Sequence, residues 1–568
     1  MYFNSQGNDE TTYDAIVVGS GISGGWAAKE LSEKGLKTLI LERGRDVKHP
    51  EYPTATLNVY QLPHRDRVPR EEIERDYPKQ NRTGYTVRES TKHWWVKDHE
   101  QPYQEIQRFD WMRGYHVGGR SIMWGRQSYR WGPQDFTANL EDGHGSDWPV
   151  RYNEMASWYD YVETFAGISG MKEGLPQLPD GQFLPPMDFN CSERHLRESI
   201  AKNYNDRILT IGRTANLTVA HNGRGPCQFR NRCIRGCPYG GYFSSNAATL
   251  PAAYATGNVT LRPFSVVESI IYDPKKKRAS GVRVIDAETM EVHEFSAKII
   301  FLCASTLNST LILMNSANEI WPDGLGSSSG ELGHNLMDHH FRAGATGEFD
   351  EWGDQYYKGR RANGIYIPRF RNLSKETTMK DFVRGYGYQG SGSREDWTGS
   401  VAELAVGKGL KEAFQTPGKW RIGLTGFGEC LPYHENKVTL NREVRDKWGM
   451  PTLVFDCSFK ENELSMRKDM QQQAAEMLEA AGAKNVNTYD QLGAPGLGIH
   501  EMGTARMGRD PKTSVLNKHN QVWDAPNVFV TDGAAMASAA CQNPSLTYMA
   551  LTARAADYAV SELKKMNL

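Results

Sequence analysis

The stretch from Asp14 to Gly44, DAIVVGSGISGGWAAKELSEKGLKTLILERG, leaves this chain little freedom in how it begins to fold. Ala15, Ile16, Val17 and Val18 form a continuous apolar run, the pattern of a parallel strand covered on both faces. Gly19, Gly21 and Gly24 follow as GxGxxG. The first permits a tight turn, the second lets a pyrophosphate approach the backbone, and the third brings the next helix close to the strand. That helix carries Ala27, Ala28, Leu31 and Lys34 and stops at Gly35. A second strand, Thr38 to Leu41, ends at Glu42 and Arg43, with Glu42 placed to accept hydrogen bonds from an adenosine ribose. Strand, turn, helix, strand and acid in register predict a parallel α/β sheet that binds a dinucleotide with its pyrophosphate on the helix N-terminus. The motif fits FAD and NAD alike, and its place at the start of a long chain favours FAD.

A chain of 568 residues exceeds a single core, which stops growing near ~250 to 300 residues, so two or three domains are expected. Lys and Arg total 67 against 68 Asp and Glu, without a long run of one sign, so there is no electrostatic footprint for nucleic acid or an anionic membrane. A neutral ligand fits this balance better. The opening MYFNSQGNDETTYD has neither a basic nor an apolar leader segment, so no signal peptide of its own is expected. No stretch approaches the ~20 apolar residues of a membrane span. Export with a signal-bearing partner leaves both the periplasm and the cytoplasm open.

Five of the eight cysteines, Cys191, Cys303, Cys430, Cys457 and Cys541, are scattered and read as small core hydrophobes. Cys227, Cys233 and Cys237 instead share one short segment, CQFRNRCIRGCP. A disulfide would leave one thiol over, and zinc sites favour paired short spacings with four ligands, for which His221 is a poorly spaced fourth. Iron-sulfur clusters take thiolates from one irregular loop, often with Pro after the last Cys, as in GCPYGG. Free thiols beside Arg230, Arg232 and Arg235 are the plainer alternative.

Three further segments join the N-terminal fingerprint: GYHVGGRSIMWGRQSYRW, ELGHNLMDHH, and GIHEMGTARMG followed by NVFVTDGAAMASAACQNPSLTYMALTARAADYA. In order and spacing they resemble the glucose-methanol-choline (GMC) family of FAD-dependent oxidoreductases, from Asp14 to Leu563, and most closely its bacterial sugar dehydrogenase branch. The resemblance implies an α/β fold, with a Rossmann-like FAD domain and a discontinuous α+β substrate domain built on an antiparallel sheet. Residues 11–150, 216–340 and 491–568 would form the FAD domain, with the cysteine loop at 225–242; residues 151–215 and 341–490 would form the substrate domain. The second stretch holds a β-like pair of runs, NKVTLNREVRDKWGMPTLVFDCSF, and a helical pattern of Leu464, Met470, Ala474, Met477, Leu478 and Ala481, whose methionines read as core.

Carried over residue by residue, the resemblance makes His500 the base that takes the substrate hydroxyl proton. Asn543, whose amide cannot act as a base, would orient the substrate oxygen. Gly118, Gly119, Ser121 and Trp124, with Asp532 and Gly533, would contact the flavin. Met123 stands where some relatives carry the histidine bonded to flavin, so FAD should be held non-covalently. Asn335 and Asp338 look like loop-fixing residues. His339 and His340 invite a metal reading, but adjacent side chains point apart on a regular element.

The cysteine spacing is similar to that of FAD-dependent glucose dehydrogenases of the branch, which implies a three-iron, four-sulfide cluster relaying electrons to a cytochrome, and a small partner subunit. The expected substrate is a glucose or glucoside oxidised at its 3-hydroxyl, with Trp94, Trp95, Trp124 and Trp131 available to stack on a sugar. A gluconate or ketogluconate dehydrogenase subunit and an oxygen-using pyranose oxidase are the alternatives.

Overall fold

The computed structural model describes residues 10–355, 362–394, 407–415 and 418–568. The apolar run predicted at the start forms strand β1 (Thr12–Val18), and the glycine turn leads into helix α1 (Ile22–Glu33) and strand β2 (Thr38–Leu41). Three later segments join them: β3 (Val259–Arg262), β4 (Val292–Leu302) and β5 (Ala525–Val530). The order β5-β4-β1-β2-β3 is parallel throughout, with Gln521–Val522 on the β5 edge. Ser265–Asp273 and Arg278–Asp286 add an antiparallel extension to β4.

Successive strands run outward from β1 in opposite directions, to β2 on one side and β4 on the other. That reversal is the topological switch point at which open α/β sheets bind ligands. Helix α1 seals one face together with the C-terminal helix α2 (Ser545–Lys564), through Ala27, Ala28 and Leu31 against Ala555, Ala556 and Val560. Small alanine side chains let the two helices approach closely.

The glycines of the first turn answer three different constraints. A Cβ at Gly24 would stand 1.9 Å from the Gly19 carbonyl oxygen, so the helix can lie against the turn only without one. Gly19 has φ +91°, which suits glycine. A Cβ at Gly21 would meet nothing within 4 Å, because that residue faces open space.

A second, six-stranded antiparallel sheet runs Lys484–Asp490, His340–Phe349, Trp420–Gly428, Tyr386–Arg394, Ile365–Ile367 and Thr210–Ile211. Helix Glu461–Ala480 covers it with Met466, Met470, Ala474, Met477 and Leu478, so its methionines are core. Leu464 is only half-buried, and Met466 takes the inward position instead. Of the segments expected around the substrate, Tyr152–Ala166 sends Met155, Tyr159 and Val162 into the core of the parallel sheet. The hairpin Lys437–Arg445 and Pro451–Asp456 does the same with Val438, Leu453 and Phe455. Among the described residues, no helix is long and apolar enough to cross a membrane.

The unequal surroundings of Gly21 and Gly24 separate ligand binding from folding. Gly24→Ala should lower the thermal midpoint of the protein, through an overpacking cost of about 1–3 kcal/mol in stability. Gly21→Ala should keep the apoprotein midpoint while reducing flavin content after reconstitution. A Gly24→Ala protein that melts with the wild type contradicts this packing.

Candidate active site

A cavity of about 520 Å³ opens where the C-terminal ends of β1, β2, β4 and β5 meet. Its walls include the glycine turn, Glu42 and Arg43 after β2, Ser305 after β4, and Asp532 and Gly533 after β5, with His500 and Asn543 also lining it. Helix α1 begins at the turn with no side chain capping its first amides. Those unsatisfied N–H groups and the positive end of the helix suit a phosphate, and the open space at Gly21 admits one.

The second glycine segment is stitched to the first. The Gly118 N–H donates to Ser20 Oγ at 2.9 Å, and Ser20 Oγ donates to Glu42 at 2.5 Å. Gly118 has φ +89°, and a Cβ there would fall 1.6 Å from Asn246 Oδ1. It shapes the turn, while Gly119, Ser121 and Trp124 line the cavity. Ser121 Oγ donates to the Gly118 carbonyl and accepts the Ser245 N–H, so it braces this turn. Glu42, expected to face a ribose, accepts from the Ser20 and Gly44 amides as well as Ser20 Oγ, and burial pushes its carboxyl up. Arg43 pairs with Asp446 and lies between the rings of Tyr115 and Trp448. Asp532 accepts from Ser309 Oγ and the Ala534 N–H, and burial raises it to about 6.

His500 and Asn543 come together: the Asn543 amide nitrogen lies 3.2 Å from His500 Nε2. The neighbouring contacts assign the protons. His339 Nε2 is 2.8 Å from the Ala540 carbonyl, which can only accept, so His339 carries its proton on Nε2. Burial pushes the His339 imidazole down to about 4, and it is neutral with a lone pair on Nδ1. His500 Nδ1, 2.8 Å away, therefore donates to it. Burial first, then His339 and the Arg120 guanidinium, hold His500 well below the usual histidine range. Its Nε2 is thus a bare lone pair, approached by the Asn543 N–H.

The chain of donors continues behind Asn543. Gln389 Nε2 donates to Asn543 Oδ1 at 2.8 Å, Gln127 Nε2 to Gln389 Oε1 at 3.1 Å, and the Tyr129 hydroxyl to Gln127 Oε1 at 2.7 Å. Each link from Tyr129 to the Ala540 carbonyl donates in the same sense. Asp338 fixes the backbone beneath, accepting the N–H groups of Gly496, Gly498 and His500 at 2.8, 2.8 and 3.0 Å. Burial, with Glu501 nearby, raises Asp338 to about 7. Arg120 reaches the cavity wall and forms two hydrogen bonds to Glu501, at 3.1 and 2.9 Å.

The GMC oxidoreductase family profile matches residues 13–341 with its N-terminal part and residues 432–552 with its C-terminal part. The chain belongs to the GMC oxidoreductase family. It is 31% identical to the 2-methyl-1,2-propanediol dehydrogenase of Mycolicibacterium austroafricanum, over 96% of this chain and 94% of that one. It is 24% identical to the fructose dehydrogenase large subunit of Gluconobacter japonicus, over 98% of this chain and 99% of that one. A formate oxidase of Aspergillus oryzae shares the fold, with a TM-score of 0.59 at 14% identity, over 99% of this chain and 100% of that one.

GMC enzymes bind FAD, and the uncapped helix end, the open approach at Gly21 and the long cavity fit that cofactor. Trp95 and Trp124 line the cavity, whereas Trp94 and Trp131 are buried in the core. The residues the motifs did not single out are Arg120, Gln127, Tyr129 and Gln389. Arg120 sits inside VGGRSIMWG, and its place between two glycines and a serine was the available signal. Gln389 comes from a strand of the other sheet, with no local signature.

The three clustered cysteines share one loop. Tyr242 Oη donates to the Cys233 carbonyl at 2.9 Å, and His49 Nε2 lies 3.1 Å from that of Cys237. Burial pushes the Cys227 thiol up, with Cys233 and Cys237 adding to it. All three thiols are free, and among the described residues no group of three His, Cys, Asp or Glu side chains is arranged to hold a metal ion. Ile234, within the loop, reaches the flavin cavity.

His500 titrates low in this setting, so its base form persists into acid. The rate of anaerobic flavin reduction should lose its acid limb only below the ordinary histidine value of ~6.5, as falling pH finally protonates Nε2. Stopped-flow traces across pH measure this, and a limb at 6.5 or above contradicts it.

Proposed function

We propose that this GMC enzyme is a dehydrogenase of neutral sugars or polyols that oxidises a secondary alcohol to a ketone. The observation that carries the reading is the bare His500 Nε2 beside Asn543, at a cavity end walled by neutral amides of Gln127, Gln389 and Asn363. A substrate hydroxyl donates to Nε2, and the Asn543 N–H turns to its oxygen. His500 would take the hydroxyl proton, and bound FAD would supply the acceptor for the hydride that leaves the carbon bearing that hydroxyl. The similarity to a fructose dehydrogenase subunit and a diol dehydrogenase supports this substrate class.

An outer cavity shares Gln127, Asn363, Gln389, Phe341 and Phe427 with the inner one. Its stacked pair Phe341 and Phe427, 5.1 Å apart at 15°, offers an apolar face to a sugar ring. The finer assignment, the 3-hydroxyl of a glucoside, comes from the branch resemblance. A sugar acid is the second reading, favoured by Arg126, which lines the cavity and whose buried Nε has no partner.

The iron-sulfur relay to a protein acceptor, with a small subunit and export alongside it, is proposed on the cysteine spacing, and the chemistry at His500 does not depend on it. Iron and sulfide analysis with electron paramagnetic resonance tests it. An iron-free protein whose flavin still bleaches with sugar removes the relay and leaves the dehydrogenase.

His500→Ala should retain FAD and slow its anaerobic bleaching by methyl glucoside about 100-fold or more, the usual contribution of a general base. Product analysis should show a 3-keto glucoside. Unchanged bleaching overturns the assignment of the base, and peroxide formed in air in step with substrate consumption favours an oxidase.

A further inference from the structure

We infer that His339 is a positioning residue that keeps His500 in the one tautomer able to act as the base, and does so without supplying a negative charge. The inference rests on the reading of His500 as base. With its proton on Nε2 instead, His500 would present a lone pair on Nδ1 to the lone pair on the buried His339 Nδ1, 2.8 Å away, and that contact would be repulsive instead of a hydrogen bond. His339 cannot turn its own proton inward without abandoning the Ala540 carbonyl. That carbonyl is held by a backbone in the left-handed region, with φ +50° at Ala540, a conformation a non-glycine residue adopts only under tertiary constraint.

Two consecutive residues therefore grip His500 from both ends. Asp338 accepts its backbone N–H at 3.0 Å, and His339 accepts its ring N–H. The imidazoles meet edge to face, with centroids 4.8 Å apart at 77°. Ile499, with φ +59°, turns the chain so that the ring of His500 follows. His340 is buried and lies against Phe459. The His-His pair is thus one support for the base and one buried ring.

A neutral support has a chemical consequence. Once Nε2 holds the substrate proton, the Nδ1 proton faces His339, whose far side ends on a carbonyl that cannot be protonated. The relay is closed beyond His339, so the proton can be shared only within the His500–His339 pair and leaves through the cavity.

The test compares His339→Gln with His339→Met in the FAD-loaded enzyme, at saturating methyl glucoside without oxygen. A glutamine can accept from His500 Nδ1 and donate to the Ala540 carbonyl, whereas methionine fills similar space without the acceptor. His339→Met should slow flavin reduction about tenfold or more with substrate affinity nearly unchanged, and His339→Gln should stay within about threefold of the wild type. Equal losses in the two variants, or no loss in either, overturn the inference while leaving His500 as base, provided His500→Ala still abolishes reduction. If His500→Ala reduces flavin normally, both readings fall. Histidine-labelled wild-type holoenzyme gives a variant-free check by 15N magnetic resonance: a protonated Nδ1 with bare Nε2 on His500 supports the inference, and the reverse tautomer overturns it.

Discussion

Parallel strands β1, β2, β4 and β5 release their loops at one edge, and the reversal of strand order beside β1 opens the crevice those loops line. This arrangement exists only because α1 lies against the glycine turn, where Gly24 and Gly19 approach closer than any side chain permits. With a Cβ at Gly24 the helix must retreat, and the uncapped amides it offers to a phosphate retreat with it. The second glycine segment depends on the same turn, since Gly118, Ser20 and Glu42 form one hydrogen-bonded unit.

The two sheets meet at His500 and Asn543. The loop that carries Asp338 and His339 enters strand His340–Phe349 of the antiparallel sheet, and another strand of that sheet carries Gln389 to Asn543. Hydrogen bonds of one polarity then cross the junction. No carboxylate side chain takes part in that chain, and the charged pair nearby, Arg120 with Glu501, is satisfied within itself and with Ser305. Low dielectric and a neutral partner keep the imidazole unprotonated, the state a base needs.

Much of this was legible in the sequence because it is local. The βαβ unit is read from adjacent residues, and β2 falls on the predicted Thr38 to Leu41. His500 and Asn543 stand in segments that carry family motifs. What escaped was set by contacts distant in sequence: His339 lies 161 residues from His500, and Gln389 lies 154 from Asn543. Reading His339 and His340 as a pair pointing apart argued against a shared metal but left open what one of them touches. The tryptophans show the reverse difficulty, since aromatic content says nothing of which ring faces a cavity; Trp95 does and its neighbour Trp94 does not. The cysteine spacing was plain in the sequence, and the three thiols share one loop of the structure.

The central claim is that a C–H bond of a neutral sugar or polyol breaks in this cavity as its hydroxyl proton goes to His500. The most direct measurement is anaerobic rapid mixing of the FAD-loaded enzyme with methyl glucoside carrying deuterium on every ring carbon, against the unlabelled sugar. Bleaching slowed several-fold by deuterium is the result this account predicts. Bleaching at the same rate with both sugars, or no bleaching by this sugar or by simple polyols, contradicts it.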